Sequence, residues 1–313
     1  SSTVLQRTST QKIGLSFLAD INATNPQSLM QGGRYTIQQS DLADEKIAVD
    51  NGAGLELVLK NDNIVLHPQK AKVLYWYPEN LFGSGSGATA DNGHHLLALG
   101  TSWDRFAERG AAVTKVIGSQ ATPASFLNNP AITGDLEQFD FIYIAPAVVN
   151  RIAQDAPEVT ALRTYLDKGG RIFIQAEDVN FTSINDAAKK LANYLGAAFD
   201  IINNDINFGT RVVSGNSELS AGIGEWGVAK ASMMTTSDPN AKVVFQTKET
   251  TPRPFCYDIT AGSSTSTIPW GNITVSADGN IWEDSAQYPF NWEKFVDNIV
   301  SNAVSNRITA ATG

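Results

Sequence analysis

Residues 139–180 read FDFIYIAPAVVN, RIAQDAPEVTALRTYLDKGG, RIFIQAEDVN, and their reading decides the fold. Phe141-Ile142-Tyr143-Ile144-Ala145 is a short apolar run, β-branched and aromatic, as expected of a strand buried on both faces. Pro157 suits the first turn of a helix, where a backbone N–H has no partner to lose. Val159, Leu162 and Leu166 then recur at three- and four-residue spacing, which places them on one helical face. Gly169-Gly170 supplies the positive φ that ends such a helix. Arg171-Ile172-Phe173-Ile174-Gln175 is a second strand. Strand, crossover helix and parallel strand form a right-handed unit that buries a sheet.

Upstream, the sequence predicts strands at Val73–Tyr77 and Ala112–Ile117, separated by a Gly/Ser-rich loop over 78–93 and a helix over His94–Glu108 that Gly110 stops. A short helix is predicted over Pro123–Asn128. Downstream, Ser183 and Asp186 resemble a capping box for a helix whose inward face is Ile184, Ala187, Leu191 and Tyr194. A strand follows over Ala198–Ile202. In the last helix Asn291 is the N-cap, Phe290 can staple onto Phe295, and Trp292, Val296, Ile299, Val300 and Ala303 continue the stripe.

Two regions differ from this α/β pattern. Residues 1–70 are rich in Gln, Asn, Ser, Thr and Asp, with short alternating runs at Tyr35–Ile37, Lys46–Val49 and Leu55–Leu59. They read as a β-rich N-terminal arm or subdomain, which either pairs with another chain or extends its own sheet. Residues 71–313 then form the α/β domain, with a β-rich insert at about 203–277 whose clearest strands are Val243–Phe245, Phe255–Tyr257 and Asn272–Val275.

A net charge of −9 argues against a nucleic-acid partner, whose phosphates demand a basic face. No run of about 18 apolar residues is present, so no transmembrane helix is predicted. A single cysteine, Cys256, excludes an internal disulfide framework and reads as a buried thiol. Ser1-Ser2-Thr3 shows no visible secretion signal, so either an initiator Met was removed or a longer leader was cleaved; synthesis in the cytoplasm is expected. The polar ends SSTVLQRTST and NRITAATG are expected to be held by neighbouring subunits.

From Lys72 to about Arg307 the chain resembles the class I glutamine amidotransferase-like superfamily in its flavodoxin-like form, and within it the non-enzymatic domains of trehalose-utilisation and gliding-motility type. The residues that carry the resemblance are Val73–Tyr77, Phe139-Asp140, Tyr165-Leu166 through Gly169-Gly170-Arg171-Ile172-Phe173-Ile174, and Asp278–Asp284 before Asn291-Trp292. It implies an α/β fold: a three-layer, doubly wound, mostly parallel sheet bearing the arm and the insert. The family's enzymes carry a cysteine on the turn after the strand matching Arg171–Gln175. Here that turn reads Gln175-Ala176-Glu177-Asp178, without Cys, Ser or a flanking Gly. The resemblance therefore implies the scaffold without its hydrolytic chemistry, and no catalytic residue is assigned.

Other candidate sites compete with plainer readings. Glu177 and Asp178 lie where open α/β sheets bind ligands, and paired carboxylates with separated pKa values do acid–base work, but acids there also cap helices. Trp76 and Trp282, with Tyr77 and Trp270, suit stacking on a sugar ring or a partner, and equally suit a core. His94 and His95 are adjacent at a helix start, about 100° apart, which is poor geometry for one metal. Gly83-Ser84-Gly85-Ser86-Gly87 lacks both the P-loop Lys and dinucleotide spacing. Asp278, Asn280 and Asp284 lack the Gly and distal Glu of a calcium loop. No metal and no cofactor are predicted.

The function expected is a non-enzymatic structural or interaction subunit of a larger homo- or hetero-assembly, with a virion (tail, baseplate or capsid-associated) as the assembly that suits the sequence. The alternatives are a glycan or other surface ligand binder and a hydrolase using Glu177 and Asp178.

Overall fold

The computed structural model describes residues 71–77, 105–117, 124–132, 134–145, 152–261, 271–282 and 289–312, and the backbone of five short strands before residue 70. Of those five, β1 (Ile13–Ser16) pairs antiparallel with β2 (Arg34–Ile37). The others, β3 (Lys46–Ala48), β4 (Leu55–Lys60) and β5 (Asn63–Pro68), form an antiparallel meander.

The opening unit folds as its sequence dictates. β8 (Phe141–Ile144) leads to α1 (Pro157–Asp167), with Pro157 in the first turn, and then to β9 (Arg171–Gln175). Gly169 takes φ 84°, which lets the chain reverse after α1. Two earlier strands, β6 (Lys72–Tyr77) and β7 (Ala112–Ile117), complete the parallel ladder β9-β8-β6-β7. Its register aligns Tyr75, Tyr143 and Phe173 across three strands. Their rings stack at 4.6 Å and 5.1 Å with interplanar angles of 13° and 8°. This aromatic row is the centre of the core, since all three are fully buried.

Beyond β9 the architecture departs from expectation. The ribbon β10 (Asp200–Ile206) and β13 (Ala231–Thr235) stands apart as its own antiparallel pair. The remaining strands are β11 (Arg211–Ser214), β12 (Trp226–Gly227), β14 (Lys242–Thr247), β15 (Pro254–Ala261) and β16 (Gly271–Ser276). They join the parallel ladder in one nine-stranded sheet of order β12-β11-β14-β15-β16-β9-β8-β6-β7. β16 is the seam, parallel to β9 on one side and antiparallel to β15 on the other.

The expected three-layer, doubly wound, mostly parallel α/β fold is thus overturned. The sheet is mixed, half of its strand pairs are antiparallel, and the described residues hold only three complete α-helices and, at residues 105–108, the end of a fourth where the sequence predicts a helix. The reason is connection length. A parallel neighbour needs a crossover of a dozen residues or more, usually a helix. Among the described residues, 203–261 offer turns such as Asp238-Pro239-Asn240 and no helix of crossover length, so their strands meander.

α2 (Thr182–Tyr194) begins after Phe181, which makes no side-chain cap, so Ser183 and Asp186 lie inside the helix instead of boxing its end. Residues 124–128 form turns where a short helix was predicted. The last helix, α3 (Trp292–Thr312), starts as its sequence predicts. Lys294 N–H donates to Asn291 Oδ1 at 3.0 Å, and the Phe290 and Phe295 rings sit 5.7 Å apart. The polar N-terminal end lies outside the described residues, as do the side chains that close α3.

Candidate functional site

The turn after β9 lies at the carboxyl end of the parallel strands, the usual ligand position in an open α/β sheet. In this protein the turn is packed and internally bonded. Ala176, Glu177 and Asp178 are 0%, 2% and 4% exposed. The ladder extends one step past β9, with Ala176 N–H donating to Ser276 C=O at 3.0 Å. Glu177 N–H donates to Asn185 Oδ1 at 2.9 Å, and Asn185 Nδ2 donates to Asp178 C=O at 2.8 Å. One amide side chain on α2 thereby fixes two successive residues of the turn.

The carboxylates of Glu177 and Asp178 face different partners. Glu177 Oε1 accepts from Asp178 N–H and Oε2 accepts from Gly279 N–H, both at 2.9 Å. Asp178 Oδ1 accepts from Asn180 N–H and Nδ2 at 2.9 and 2.7 Å, an Asx turn that starts the run into α2. Lys230 Nζ stands 4.0 Å from the same oxygen, and Val179 N–H donates to Ser232 Oγ at 2.8 Å. The β10–β13 ribbon therefore closes one side of the turn. Burial, with the Asp278 charge second, pushes the Glu177 carboxyl well above the usual glutamate range.

The two tryptophans of the predicted site present no ring face to solvent. Trp76 is 1% exposed; its Nε1–H donates to Ala124 C=O at 2.6 Å and its ring meets Phe126 edge-on at 4.9 Å. Trp282 is fully buried, stacked on Phe295 at 5.5 Å and edge-on to Phe173 at 5.5 Å. Its Nε1–H donates to Gln175 Oε1, which also accepts from Tyr143 Oη–H. Trp282 thus reaches the turn from beneath, through Gln175. Tyr77 is buried as well. His94, His95, the 83–87 loop, Trp270 and Asp284 lie outside the described residues.

Cys256 is fully buried within β15, and burial, with Asp258 second, pushes its thiol well above the ordinary range. Among the described residues no group of three or more His, Cys, Asp or Glu side chains is arranged to hold a metal ion. No helix among them is long and apolar enough to cross a membrane.

Sequence reading missed Asn185, Ser232 and Gly279 as partners of the turn. Asn185 had a signal, since it follows the turn by less than three helical turns. Ser232 comes from β13 and Gly279 from the 3₁₀ turn after β16, which meet the turn only in three dimensions. A buried ion pair was missed for the same reason: Arg171 Nη1 to Asp258 Oδ1 at 2.8 Å, 87 residues apart, with Asn272 Nδ2 donating to Asp258 Oδ2.

No protein-family model matches the chain, and no curated protein matches it. Solved structures to which it is similar include the mmIFT52 N-terminal domain, at 15% identity and TM-score 0.43, covering 72% of this chain and 94% of that one. Another is a putative ThuA-like protein from Bacteroides uniformis, at 11% identity and TM-score 0.36, covering 77% and 91%. A third is Gan42B, a GH42 β-galactosidase from G. stearothermophilus, at 12% identity and TM-score 0.43, covering 74% of this chain and 29% of that one. The chain spans under a third of that β-galactosidase. Likeness this distant carries no argument about family or activity.

Proposed function

We propose that the protein is a non-enzymatic structural or interaction subunit built on an amidotransferase-like scaffold. The observation that carries this reading is the internal use of the Ala176–Asp178 turn. Its amides and carboxylates are spent on Asn185, Gly279 and Asn180, the next amide, Val179 N–H, goes to Ser232 Oγ, and the position that holds a nucleophile in the resembled enzymes is a buried alanine side chain. Cys256, the single thiol, sits in the sheet core with its ionisation suppressed. The chain's function then lies in its surfaces: the 1–70 arm and the outward turns of 203–277, where Phe208 is 66% exposed. Placement of such a subunit in a virion rests on the character of the sequence.

Native mass spectrometry of the full chain, with sedimentation at several concentrations, tests the proposal. A discrete homo-oligomer, or a defined complex with a co-expressed partner, is the expected result. A strict monomer that hydrolyses a substrate, with turnover abolished by Glu177→Gln, overturns it in favour of the hydrolase.

A further inference from the structure

The parallel register between β9 and β16 sets Gln175 opposite Ser276. Glu177 lies two residues past the end of β9 and Asp278 two residues past the end of β16, and the Asp278 charge acts on the Glu177 carboxyl. Both are buried, at 2% and 1% exposure, at the one place where the sheet changes from parallel to antiparallel. Glu177 also reaches across to Gly279 N–H, so its carboxyl already spans the two strand ends.

Two acids just past neighbouring strand ends, near enough for one charge to act on the other and shut from water, cannot both ionise without strong repulsion. One proton between them removes the repulsion and adds a hydrogen bond. We propose that Glu177 and Asp278 share a single proton, and that this proton latches the β9–α2 turn to the end of β16. Asn185 ties the latch to α2 and Ser232 ties it to the β10–β13 ribbon, so its release loosens both attachments.

The charged groups around the latch are acidic on balance. Asp178 lies on the turn itself and adds to the repulsion on Glu177. Lys230, just before β13, has its Nζ 4.0 Å from Asp178 Oδ1. Asp205 meets Ser232 Oγ at 3.3 Å on the ribbon's far strand. Arg105 donates Nε to Trp282 C=O at the end of the 3₁₀ turn Gly279–Trp282. Cys256, on β15, feels the Asp278 charge and stays protonated. On α2 the nearest acid is Asp186, exposed and paired with Lys189.

The folded latch holds a proton that the unfolded chain releases above the ordinary glutamate range. Stability from the latch is therefore complete in acid and falls as pH rises through the raised titration.

Infrared spectroscopy of the full-length protein across a pH series tests the latch. The wild type is expected to show the C=O stretch of a protonated carboxylic acid at neutral pH, and Glu177→Gln is expected to lose it. Asp278→Asn keeps Glu177 but removes the neighbouring charge, so the band should disappear at lower pH than in the wild type. A wild type without the band at neutral pH overturns the proposal. So does a band that survives in Glu177→Gln, or one whose titration is unmoved in Asp278→Asn. Should Glu177→Gln fail to fold, the Asp278→Asn comparison decides alone.

Discussion

Trp282 Nε1–H donates to Gln175 Oε1 at 3.1 Å, joining residues 107 apart in sequence across the end of the sheet. The same oxygen takes the Tyr143 hydroxyl at 2.8 Å, so one amide anchors two core aromatics. Trp282→Ala removes both the ring packing and that donor. It is expected to destabilise the fold by about 3–5 kcal/mol, the usual cost of truncating a large buried aromatic. Trp282→Phe should cost less, since Phe173 and Phe295 keep a neighbour. Urea unfolding measures both, through a lowered midpoint at constant slope.

Arg171 and Asp258 form an ion pair with side chains 4% and 6% exposed. Removing one partner strands a buried charge, so Arg171→Met or Asp258→Leu alone should cost roughly 3–5 kcal/mol. Arg171 Nε has no hydrogen-bond partner among the described residues, so the pair is incompletely satisfied. The double variant Arg171→Met/Asp258→Leu should accordingly cost less than either single change. A double-mutant cycle by chemical denaturation reads the difference.

The Cys256 thiol is enclosed, and its ionisation is suppressed first by burial and then by Asp258. Only the thiolate reacts, so the native protein should resist a disulfide reagent at neutral pH. Raising the pH moderately should change little while the fold holds, because the thiol titrates well above its ordinary range. Full reaction is expected on addition of denaturant, followed by absorbance of the released thiol reagent. Rapid labelling of native protein would contradict the burial.

Gly271 opens β16 against the end of α1, where an added Cβ would lie 2.4 Å from Leu166 C=O. That neighbour is backbone and cannot step aside. Gly271→Ala is expected to cost about 1–3 kcal/mol, as overpacking does. At Gly110 the space is open and the constraint is φ +90° alone. Gly110→Asn, which tolerates positive φ, should be the milder change. Thermal unfolding of the two variants side by side gives the order.

Local chemistry made much of the parallel half legible. The apolar run at Phe141, the proline at 157 and the glycine pair at 169–170 each act within a few residues, and the strand Arg171–Gln175 lies where the sequence put it. Asn291 and Phe290 marked the start of α3 in the same way. The antiparallel half was misread because pairing is not local. Nothing near Phe255 or Asn272 says that β15 and β16 extend the same sheet instead of forming an insert. Trp282 was ambiguous by type, and only its neighbours Phe173 and Phe295 reveal a core residue. Glu177 was visible as an acid at a strand end, while Asp278, whose charge acts on it, was read for a different chemistry.

The seam at β16 has a consequence for how the chain is made. β9 leaves the ribosome about a hundred residues ahead of the strand that covers its edge. Until Gly271–Ser276 emerges, both β9 and β15 present open backbone to the cell. A nascent or truncated product ending before that segment would carry two sticky borders in place of one continuous sheet. Synthesis is thus most exposed to aggregation in the interval before a six-residue strand stitches the halves together.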